Sequence, residues 1–363
     1  MKKTFVSAIV IFLAAYACFR FFSNQDSNQF FKGDDTRIRY VGRFDRTDQH
    51  APKSWAPGSY LSFDVFGNSA EIILLDEHKF GKLHNYIEVV IDHHETKRIQ
   101  LTKRLNLISL FHHKLPGKHH VLICKNTESA IGYIQVLGVR CQNLLKSKKT
   151  KKSIFEFIGD SITCGNGADS SEVKFGEGAW YDYHNAYLSY GPRLARELNA
   201  DWILSSVSGI GMNHSCCGMR HSLPEVYERI DFHKGHRRWN FQNQAIPQVV
   251  FITLGQNDGD KDWKGYVDSY VKFIRQLRNK YPSSWMVCCV SPMSEANFKL
   301  AFIKHIDAIV RRVQADGDKR IVSFSYKKTY NSGYDQHPTV KQHEEMMLEL
   351  KQFMRRWTVT MNL

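Results

Sequence analysis

Residues 154–165 read IFEFIGDSITCG, an apolar run that leads directly into a serine flanked by glycines. The run 154–158 has the length and composition of a buried strand, and Gly159 ends it. Glycines permit unusual backbone angles, so the chain can turn sharply here and present the Ser161 hydroxyl and amide at the end of the strand. A strand that passes into a helix in this way is typical of an α/β protein.

Strand and helix keep alternating from there to the C-terminus. Four more buried strands are predicted, at 202–207, 249–254, 285–290 and 321–324. Between them apolar residues recur with the 3.6-residue period of a helix, as in the series Phe302, Ile303, Ile306, Ile309, Val310 and Val313. Five strands alternating with helices predict a parallel, flavodoxin-like sheet covered by helices on both faces. In such a sheet the functional site lies at the carboxyl ends of the strands.

The sequence before this α/β region has the pattern of short β-strands. Residues 60–66 alternate between apolar and polar and end at Gly67-Asn68, which is a turn signal. Similar segments follow at 70–75, 86–91, 105–111, 120–124 and 131–139. Short strands with turn signals between them predict an all-β sandwich.

A basic segment separates the two patterns and sets the predicted domain boundaries. Residues 146–152, KSKKTKK, contain no apolar side chain and no interleaved aromatic residue. This favours a solvated linker over a nucleic-acid contact, so nucleic acid is not a predicted partner. The predicted division is an N-terminal leader at 1–35, a β-sandwich domain at 36–145, the linker at 146–152 and an α/β domain at 153–363.

The leader itself indicates export. Lys2 and Lys3 precede an uncharged stretch at 4–19, and Ala15-Tyr16-Ala17 offers a small-x-small cleavage site. The stretch has 16 residues, fewer than the roughly 20 that span a bilayer. It predicts a secretory signal peptide, with an uncleaved N-terminal anchor as the alternative. In both cases the folded part lies outside the cytosol, either secreted or tethered to a membrane.

Composition and cysteine content exclude several other classes of protein. Hydrophobic residues make up 42% and charged residues 24% of the 363, which excludes a disordered or fibrous chain. The net charge of +14 permits attraction to acidic surfaces without specifying a partner. The eight cysteines do not form a disulfide framework, although one bridge, from Cys124 to Cys141, is a candidate. Neither cysteines nor histidines show metal spacing, so no metal or other cofactor is predicted.

The strand ends of the α/β region carry reactive and oxyanion-binding groups. The second strand leads to Gly209, the third to Asn257, and the fifth to a loop that carries Asp335 and His337. With Ser161 as the nucleophile, His337 would take its proton and Asp335 would orient the imidazole. The N–H groups of Ser161 and Gly209 and the side-chain amide of Asn257 would hold a developing oxyanion.

Each of these motifs alone also has a structural explanation. Gly-Asp-Ser is common, Asn-Asp after a strand is usually a turn, and Asp-x-His-Pro often precedes a helix. Their order and their shared position at strand ends favour the catalytic interpretation, a serine-dependent acyl transfer. The candidate substrate contacts around them are Asp160, Trp180, Asp258 and Gln336. Helix-to-sheet packing explains Trp180 equally well.

The chain resembles the SGNH (GDSL-type) hydrolase superfamily, which is named for four residues that are here Ser161, Gly209, Asn257 and His337. Residues 159–165, 185–200 (NAYLSYGPRLARELNA) and 39–43 (RYVGR) are similar to carbohydrate esterase family two. That resemblance covers nearly all of 37–357. It implies a jelly-roll domain followed by an SGNH domain, and the removal of acetyl groups from plant polysaccharides such as xylan and glucomannan through a serine acyl-enzyme.

Two positions depart from the pattern that this resemblance implies. Asn166 stands where the family commonly has tyrosine, and Gln336 where an aromatic residue is frequent, which would remove a stacking surface for a sugar ring. Some members also work without the aspartate that Asp335 would supply. The alternatives are an SGNH lipid esterase or lysophospholipase, a catalytically inactive carbohydrate-binding protein, and a protein that binds anionic polymers. The sequence does not indicate an oligomeric state.

Overall fold

The computed structural model describes residues 28–146, 152–243, 245–260 and 262–361. The predicted signal sequence or anchor at 4–19 and most of the basic linker, residues 147–151, lie outside the described residues. Within the described ranges no helix is long and apolar enough to cross a membrane.

The N-terminal domain is built from antiparallel strands, which confirms the all-β prediction. They are β1 (Gln29–Lys32), β2 (Arg39–Val41), β3 (Lys53–Ser54), β4 (Tyr60–Asp76), β5 (Tyr86–Ile91), β6 (Glu95–Gln100), β7 (Leu105–Lys125) and β8 (Ile134–Leu145). They pair in the order β1-β8-β4-β7-β5-β6, with β2 against β4 and β3 against β8. Inward-facing side chains of successive strands form one core, to which β4 contributes Leu61, Phe63, Val65, Ile72 and Leu74.

The strands are longer than the turn signals predict, because Gly67-Asn68 does not form a turn. β4 continues through these residues, and its pairing with β7 shifts register between Gly67 and Ser69. A Cβ atom at position 67 would lie 2.4 Å from the side-chain oxygen of Gln142, which accepts the Asn68 N–H at 2.8 Å. The close approach of Gln142 therefore requires the glycine, and a bulge takes up the irregularity. Two later predicted strands are likewise joined in β7.

The candidate disulfide between Cys124 and Cys141 is wrong, since both cysteines are buried and free. Cys124 pairs with Tyr60 of β4, whereas Cys141 pairs with Ala70 of the same strand. These two β4 residues are ten positions apart, roughly 30 Å along a strand. That distance is several times what a disulfide can bridge.

The C-terminal domain contains the predicted parallel sheet. Its strands are β9 (Ile154–Gly159), β10 (Asp201–Ser206), β11 (Val249–Thr253), β12 (Trp285–Cys289) and β13 (Ile321–Phe324). They lie in the order β10-β9-β11-β12-β13, and each neighbouring pair is parallel. The chain leaves β9 for β10 on one side and continues to β11 on the other. This reversal opens a crevice at the carboxyl ends of the central strands.

Helices cover both faces of the parallel sheet. They are α1 (Ser161–Cys164), α2 (Tyr190–Glu197), α3 (Leu223–Val226), α4 (Trp263–Lys280), α5 (Ala296–Ala315) and α6 (Val340–Met361). α2 and α6 pack on one face, and α4 and α5 pack on the other. Neighbouring residues of one strand enter different cores, as Phe157 and Ile158 do. Because both faces are buried, the strands are rich in apolar residues, which made them recognisable in the sequence.

The two domains meet through buried polar contacts around Arg43, which is 1% exposed. Its Nη1 donates to the Tyr227 carbonyl at 2.8 Å and its Nη2 to Ser205 Oγ at 3.0 Å. Nη2 also lies 3.5 Å from a carboxylate oxygen of Glu156, on β9. The guanidinium faces the Phe232 ring at 4.7 Å from its centroid. The charge that Arg43 brings into the interface is therefore paired and hydrogen-bonded there.

Removing Arg43 should destabilise the protein strongly. Arg43→Ala leaves the buried Glu156 carboxylate without its cationic partner, and we expect the free energy of unfolding to fall by about 3–5 kcal/mol. The control is Arg275→Ala, because the side chains of the Arg275–Asp316 pair are 59% and 49% exposed and such a pair contributes roughly 0–1 kcal/mol. Urea unfolding followed by circular dichroism measures both variants, and equal losses would contradict the prediction.

Candidate active site

The candidate nucleophile, Ser161, is the first residue of α1 and stands directly after β9. The Asp160 carboxylate accepts the Ile162 N–H at 3.0 Å and so caps the helix. Gly159 must be a glycine, because a Cβ atom there would lie 2.0 Å from Thr163 Oγ1. The tight strand-to-helix turn predicted from the sequence is therefore present, and it places Ser161 at the carboxyl end of the central strand.

His337 reaches Ser161 from the loop before α6. Its Nε2 lies 2.8 Å from Ser161 Oγ. Burial lowers the pKa of the His337 imidazole below its usual value, and the Asp335 carbonyl and charge oppose this shift. The imidazole is consequently neutral at neutral pH and can accept the hydroxyl proton.

The carboxylate of Asp335 does not make the hydrogen bond that the triad prediction assigns to it. His337 Nδ1 instead lies 2.9 Å from the backbone carbonyl oxygen of Asp335. Asp335 and Gln336 both adopt left-handed backbone angles, with φ of 51° and 57°, and this turns the carbonyl back toward the ring. A carbonyl can only accept, so Nδ1 carries the proton and the Nε2 lone pair faces the serine. The Asp335 side chain is exposed.

Two backbone N–H groups at the crevice are unpaired among the described residues. They belong to Ser161, at the start of α1, and to Gly209, on the turn after β10. Gly209 has φ of +80°, and a Cβ atom there would lie 3.1 Å from Cys216 Sγ and Met219 Sδ. Both the backbone angle and the crowding therefore require glycine at this position.

Asn257 lies at the same crevice, after β11. Its Nδ2 donates to the Ile210 carbonyl at 2.9 Å. The contact from Nδ2 to the Asp160 carboxylate is 3.4 Å, which is long for a hydrogen bond. The second amide hydrogen is thus only weakly engaged, and a substrate oxygen can compete for it.

Two of the four candidate substrate contacts have structural roles. Asp160 is 1% exposed, and its burial raises its pKa to about 7. Asp258 is also buried, and its carboxylate accepts the N–H groups of Met212, Asn213 and His214 at 2.8, 2.6 and 2.9 Å. Both carboxylates hold loops of the site, and their contact with a substrate stays a prediction.

The other two candidate contacts remain available to a ligand. Trp180 is 39% exposed, and its ring packs edge-on against His184, with centroids 4.8 Å apart. Burial lowers the pKa of His184 well below its usual value, and the proximity of His337 adds to the shift. Gln336 is exposed beside the histidine.

A disulfide next to the candidate oxyanion loop was missed in the sequence. Cys216 and Cys217 are bonded to each other, and the Cys216 N–H donates to the Gly209 carbonyl at 2.8 Å. Adjacent cysteines on a strand point apart, but these two lie in a loop, where Cys217 has φ of 60°. The following glycine, Gly218, was the sequence signal that these cysteines do not belong to a strand.

The described histidines do not gather into a metal site. His119 Nδ1 lies 2.8 Å from an Asp92 oxygen, and His120 Nδ1 lies 2.6 Å from an Asp64 oxygen. In the part of the chain that the structure describes, no three His, Cys, Asp or Glu side chains are grouped as metal ligands would be. These imidazoles are thus paired with carboxylates on the β domain.

A serine and a histidine at hydrogen-bond distance, at the carboxyl ends of a parallel sheet, are the arrangement of a serine hydrolase. Comparison with known families agrees with this class. Residues 157–359 match the GDSL-like Lipase/Acylhydrolase family, and residues 40–147 match the family Carbohydrate esterase 2 N-terminal. The chain belongs to the GDSL-like Lipase/Acylhydrolase family, and its N-terminal domain is similar to that of the family two carbohydrate esterases.

Individual relatives extend over both domains. The chain is 30% identical over 325 residues to the cellulase/esterase CelE of Acetivibrio thermocellus, covering 86% of this chain and 38% of that protein. It is 26% identical over 342 residues to an acetylxylan esterase / glucomannan deacetylase of Cellvibrio japonicus, covering 92% of each. A family two carbohydrate esterase from Clostridium thermocellum, solved in complex with cellohexaose, superposes with a TM-score of 0.79 at 27% identity, over 88% of this chain and 98% of that one.

Replacing the Asp335 carboxylate should have a modest effect on turnover. Asparagine tolerates left-handed backbone angles, so Asp335→Asn keeps the carbonyl in place and removes only the charge. We expect kcat on an acetate ester to fall less than about tenfold, against the roughly 10⁴-fold loss typical when a triad carboxylate is replaced by its amide. Losing the negative charge also lowers the His337 pKa further, so the acidic limb of the kcat/KM profile should move to lower pH.

The measurement is a pH profile of kcat and kcat/KM for both proteins. Gln336→Asn, one residue along the loop and also exposed, is the matched control, because asparagine tolerates the left-handed backbone angle there; it should leave the acidic limb unchanged. A loss of 10³-fold or more in Asp335→Asn would mean that the carboxylate itself supports the imidazole.

Proposed function

We propose that the protein is a serine esterase that removes O-acetyl groups from carbohydrate of the xylan or glucomannan type through an acyl-enzyme. The observation that carries the proposal is the 2.8 Å contact between His337 Nε2 and Ser161 Oγ, with Nδ1 held by the Asp335 carbonyl. The names of the relatives, an acetylxylan esterase / glucomannan deacetylase among them, support the carbohydrate substrate. The chain spans only 38% of the length of CelE.

In the first half of the proposed reaction, Ser161 Oγ attacks the acetyl carbonyl carbon while His337 Nε2 takes the hydroxyl proton. The carbonyl oxygen becomes an oxyanion and accepts hydrogen bonds from the Ser161 and Gly209 N–H groups and from the Asn257 amide. The protonated imidazole then gives its proton to the sugar oxygen as the ester bond breaks. Deacetylated carbohydrate leaves, and the acetyl group stays on Ser161.

In the second half, a water molecule takes the place of the sugar. His337 removes a proton from this water as it attacks the acetyl carbon, and the same donors hold the second oxyanion. Collapse of the intermediate returns the proton from His337 to Ser161 Oγ and releases acetate. Both halves need a neutral imidazole at their start, which agrees with the lowered pKa of His337.

The intact geometry argues against the catalytically inactive alternative. A protein that only binds carbohydrate gains nothing from a buried histidine that faces a serine hydroxyl at hydrogen-bond distance. We also propose that the protein is exported, because acetylated polysaccharides of this type lie outside the cell that degrades them. It rests on the predicted leader at 4–19, with the membrane tether as the alternative.

Acetate release from natural substrates tests the function. Wild type should release acetate from acetylated xylan or acetylated glucomannan, and Ser161→Ala should lower the rate by at least about 10³-fold, as for other serine hydrolases that lose the nucleophile. The control is Ser283→Ala, an exposed serine just before β12, at the opposite end of the sheet. Free acetate is measured by an enzyme-coupled assay.

Two other outcomes of this experiment would contradict part of the proposal. Release by neither protein from polysaccharide, together with hydrolysis of a lysophospholipid by wild type, would favour the lipid esterase. Equal release by wild type and Ser161→Ala would show that Ser161 is not the nucleophile.

A further inference from the structure

A polar loop of the β domain is buried beneath the candidate active site. Residues 125–129, KNTES, begin at the last residue of β7 and are called the interdomain loop here; all five are at most 2% exposed. The backbone carbonyl of Asn126 accepts the Ala186 N–H, and its side-chain oxygen accepts the Tyr187 N–H, each at 3.1 Å. The loop is therefore hydrogen-bonded into the α/β domain and is not a surface turn.

Glu128 of this loop contacts both segments that carry the candidate catalytic groups. Its Oε2 accepts the backbone N–H of Ser208 at 2.5 Å. Ser208 directly precedes Gly209. The same oxygen lies 3.6 Å from the thiol of Cys164, which ends the short helix that Ser161 begins. One carboxyl group of the β domain is thus shared between the nucleophile helix and the oxyanion loop.

The position of this hydrogen bond matters for the Gly209 N–H. Residues 207–210 form a turn in which the Ile210 N–H faces the Val207 carbonyl at 3.4 Å. Inside this turn the Ser208 N–H has no backbone acceptor, and Glu128 supplies one. Fixing the Ser208 amide limits rotation of the next peptide unit, which contains the Gly209 N–H. An oxyanion donor contributes only when it points at the developing charge.

The cost of burying Glu128 supports a role beyond packing. Its second oxygen, Oε1, has no hydrogen-bond partner among the described residues. A half-satisfied buried carboxyl is unfavourable, and such exceptions concentrate at functional sites. The ammonium of Lys125 fixes the loop backbone by donating to the Thr127 and Glu128 carbonyls at 2.6 and 3.2 Å.

We propose that Glu128 is a positioning residue, through which the β domain holds the oxyanion loop in its catalytic geometry. The inference rests on the proposed esterase function and extends it, because it makes both domains part of one catalytic unit. Glu128 acts through Ser208 and Gly209 and touches no reacting atom. Its acceptor oxygen is present in the ionised and the protonated carboxyl alike, and also in a glutamine side chain.

The test compares Glu128→Ala and Glu128→Gln with wild type on an acetate ester. We expect kcat of Glu128→Ala to fall about 10–100-fold with KM within about twofold, less than the 10²–10³-fold loss of a whole oxyanion donor. Glu128→Gln should recover kcat to within about threefold of wild type. Glu128→Asp, whose shorter side chain moves the acceptor oxygen away from the Ser208 N–H, should have a kcat between those of the other two variants. It replaces the alanine variant in the test if that variant fails to fold.

The matched control is Tyr60→Phe. It also removes a buried hydrogen bond between the domains, from the Tyr60 hydroxyl to Asp201 at 2.6 Å, but Asp201 begins β10 at the end of the sheet opposite to the site. Thermal unfolding is measured for every variant. Tyr60→Phe should lose stability with unchanged kcat, whereas the Glu128 variants should lose kcat out of proportion to stability.

Several results would overturn the inference. Wild-type kcat in Glu128→Ala, no recovery in Glu128→Gln, or an equal loss of kcat in Tyr60→Phe would each show that Glu128 is merely structural. Labelling of Ser161 by a fluorophosphonate separates this failure from that of the proposed function. If wild type is labelled and hydrolyses esters, only the role of Glu128 is refuted; if it does neither, both proposals fall.

Discussion

The hydrogen bond between His337 Nδ1 and the Asp335 carbonyl is the constraint on which the chemistry of this site depends. Both nitrogens of this buried imidazole have a partner: Nδ1 faces the Asp335 carbonyl and Nε2 faces Ser161 Oγ. Asp335 and Gln336, whose left-handed backbone angles direct the carbonyl, are not glycines. Neither side chain is branched at Cβ, so neither is among the residues for which this conformation is most unfavourable. A main-chain acceptor makes the tautomer independent of the side chain at position 335.

The second constraint is that the α/β domain is not complete by itself. Arg43 brings a charge from the β domain against Glu156 on the central strand β9, and Glu128 brings a carboxyl against the turn after β10. Contacts of this kind cannot be exchanged for water without leaving buried charges unpaired. The β domain therefore contributes to the shape of the crevice itself.

The sequence predicted the parallel sheet well because each strand is rich in apolar residues, and that pattern depends only on burial of both faces. It also placed Ser161 and His337, since their motifs stand at strand ends. The turn predicted at Gly67 is absent, because in a sequence a glycine needed for close packing is indistinguishable from one in a turn. The partner of His337 could not be foreseen, because a backbone carbonyl leaves no trace in the residue type. Glu128 was missed because KNTES has the composition of an exposed turn.

Three buried carboxyl groups, those of Asp160, Glu128 and Asp258, explain how the site keeps two N–H donors free. Asp160 accepts the Ile162 N–H, next to the Ser161 N–H, which has no partner among the described residues. Glu128 accepts the Ser208 N–H, next to the Gly209 N–H, which is likewise without a partner in the part of the chain that the structure describes. Asp258 accepts three further N–H groups of the following loop. Because neighbouring amides are each held by a buried carboxyl group, the two unpaired donors stay in fixed directions while remaining open to a ligand. A substrate hydroxyl that contacted the Asp160 or Asp258 carboxylate would have to compete with these N–H groups for the same oxygens.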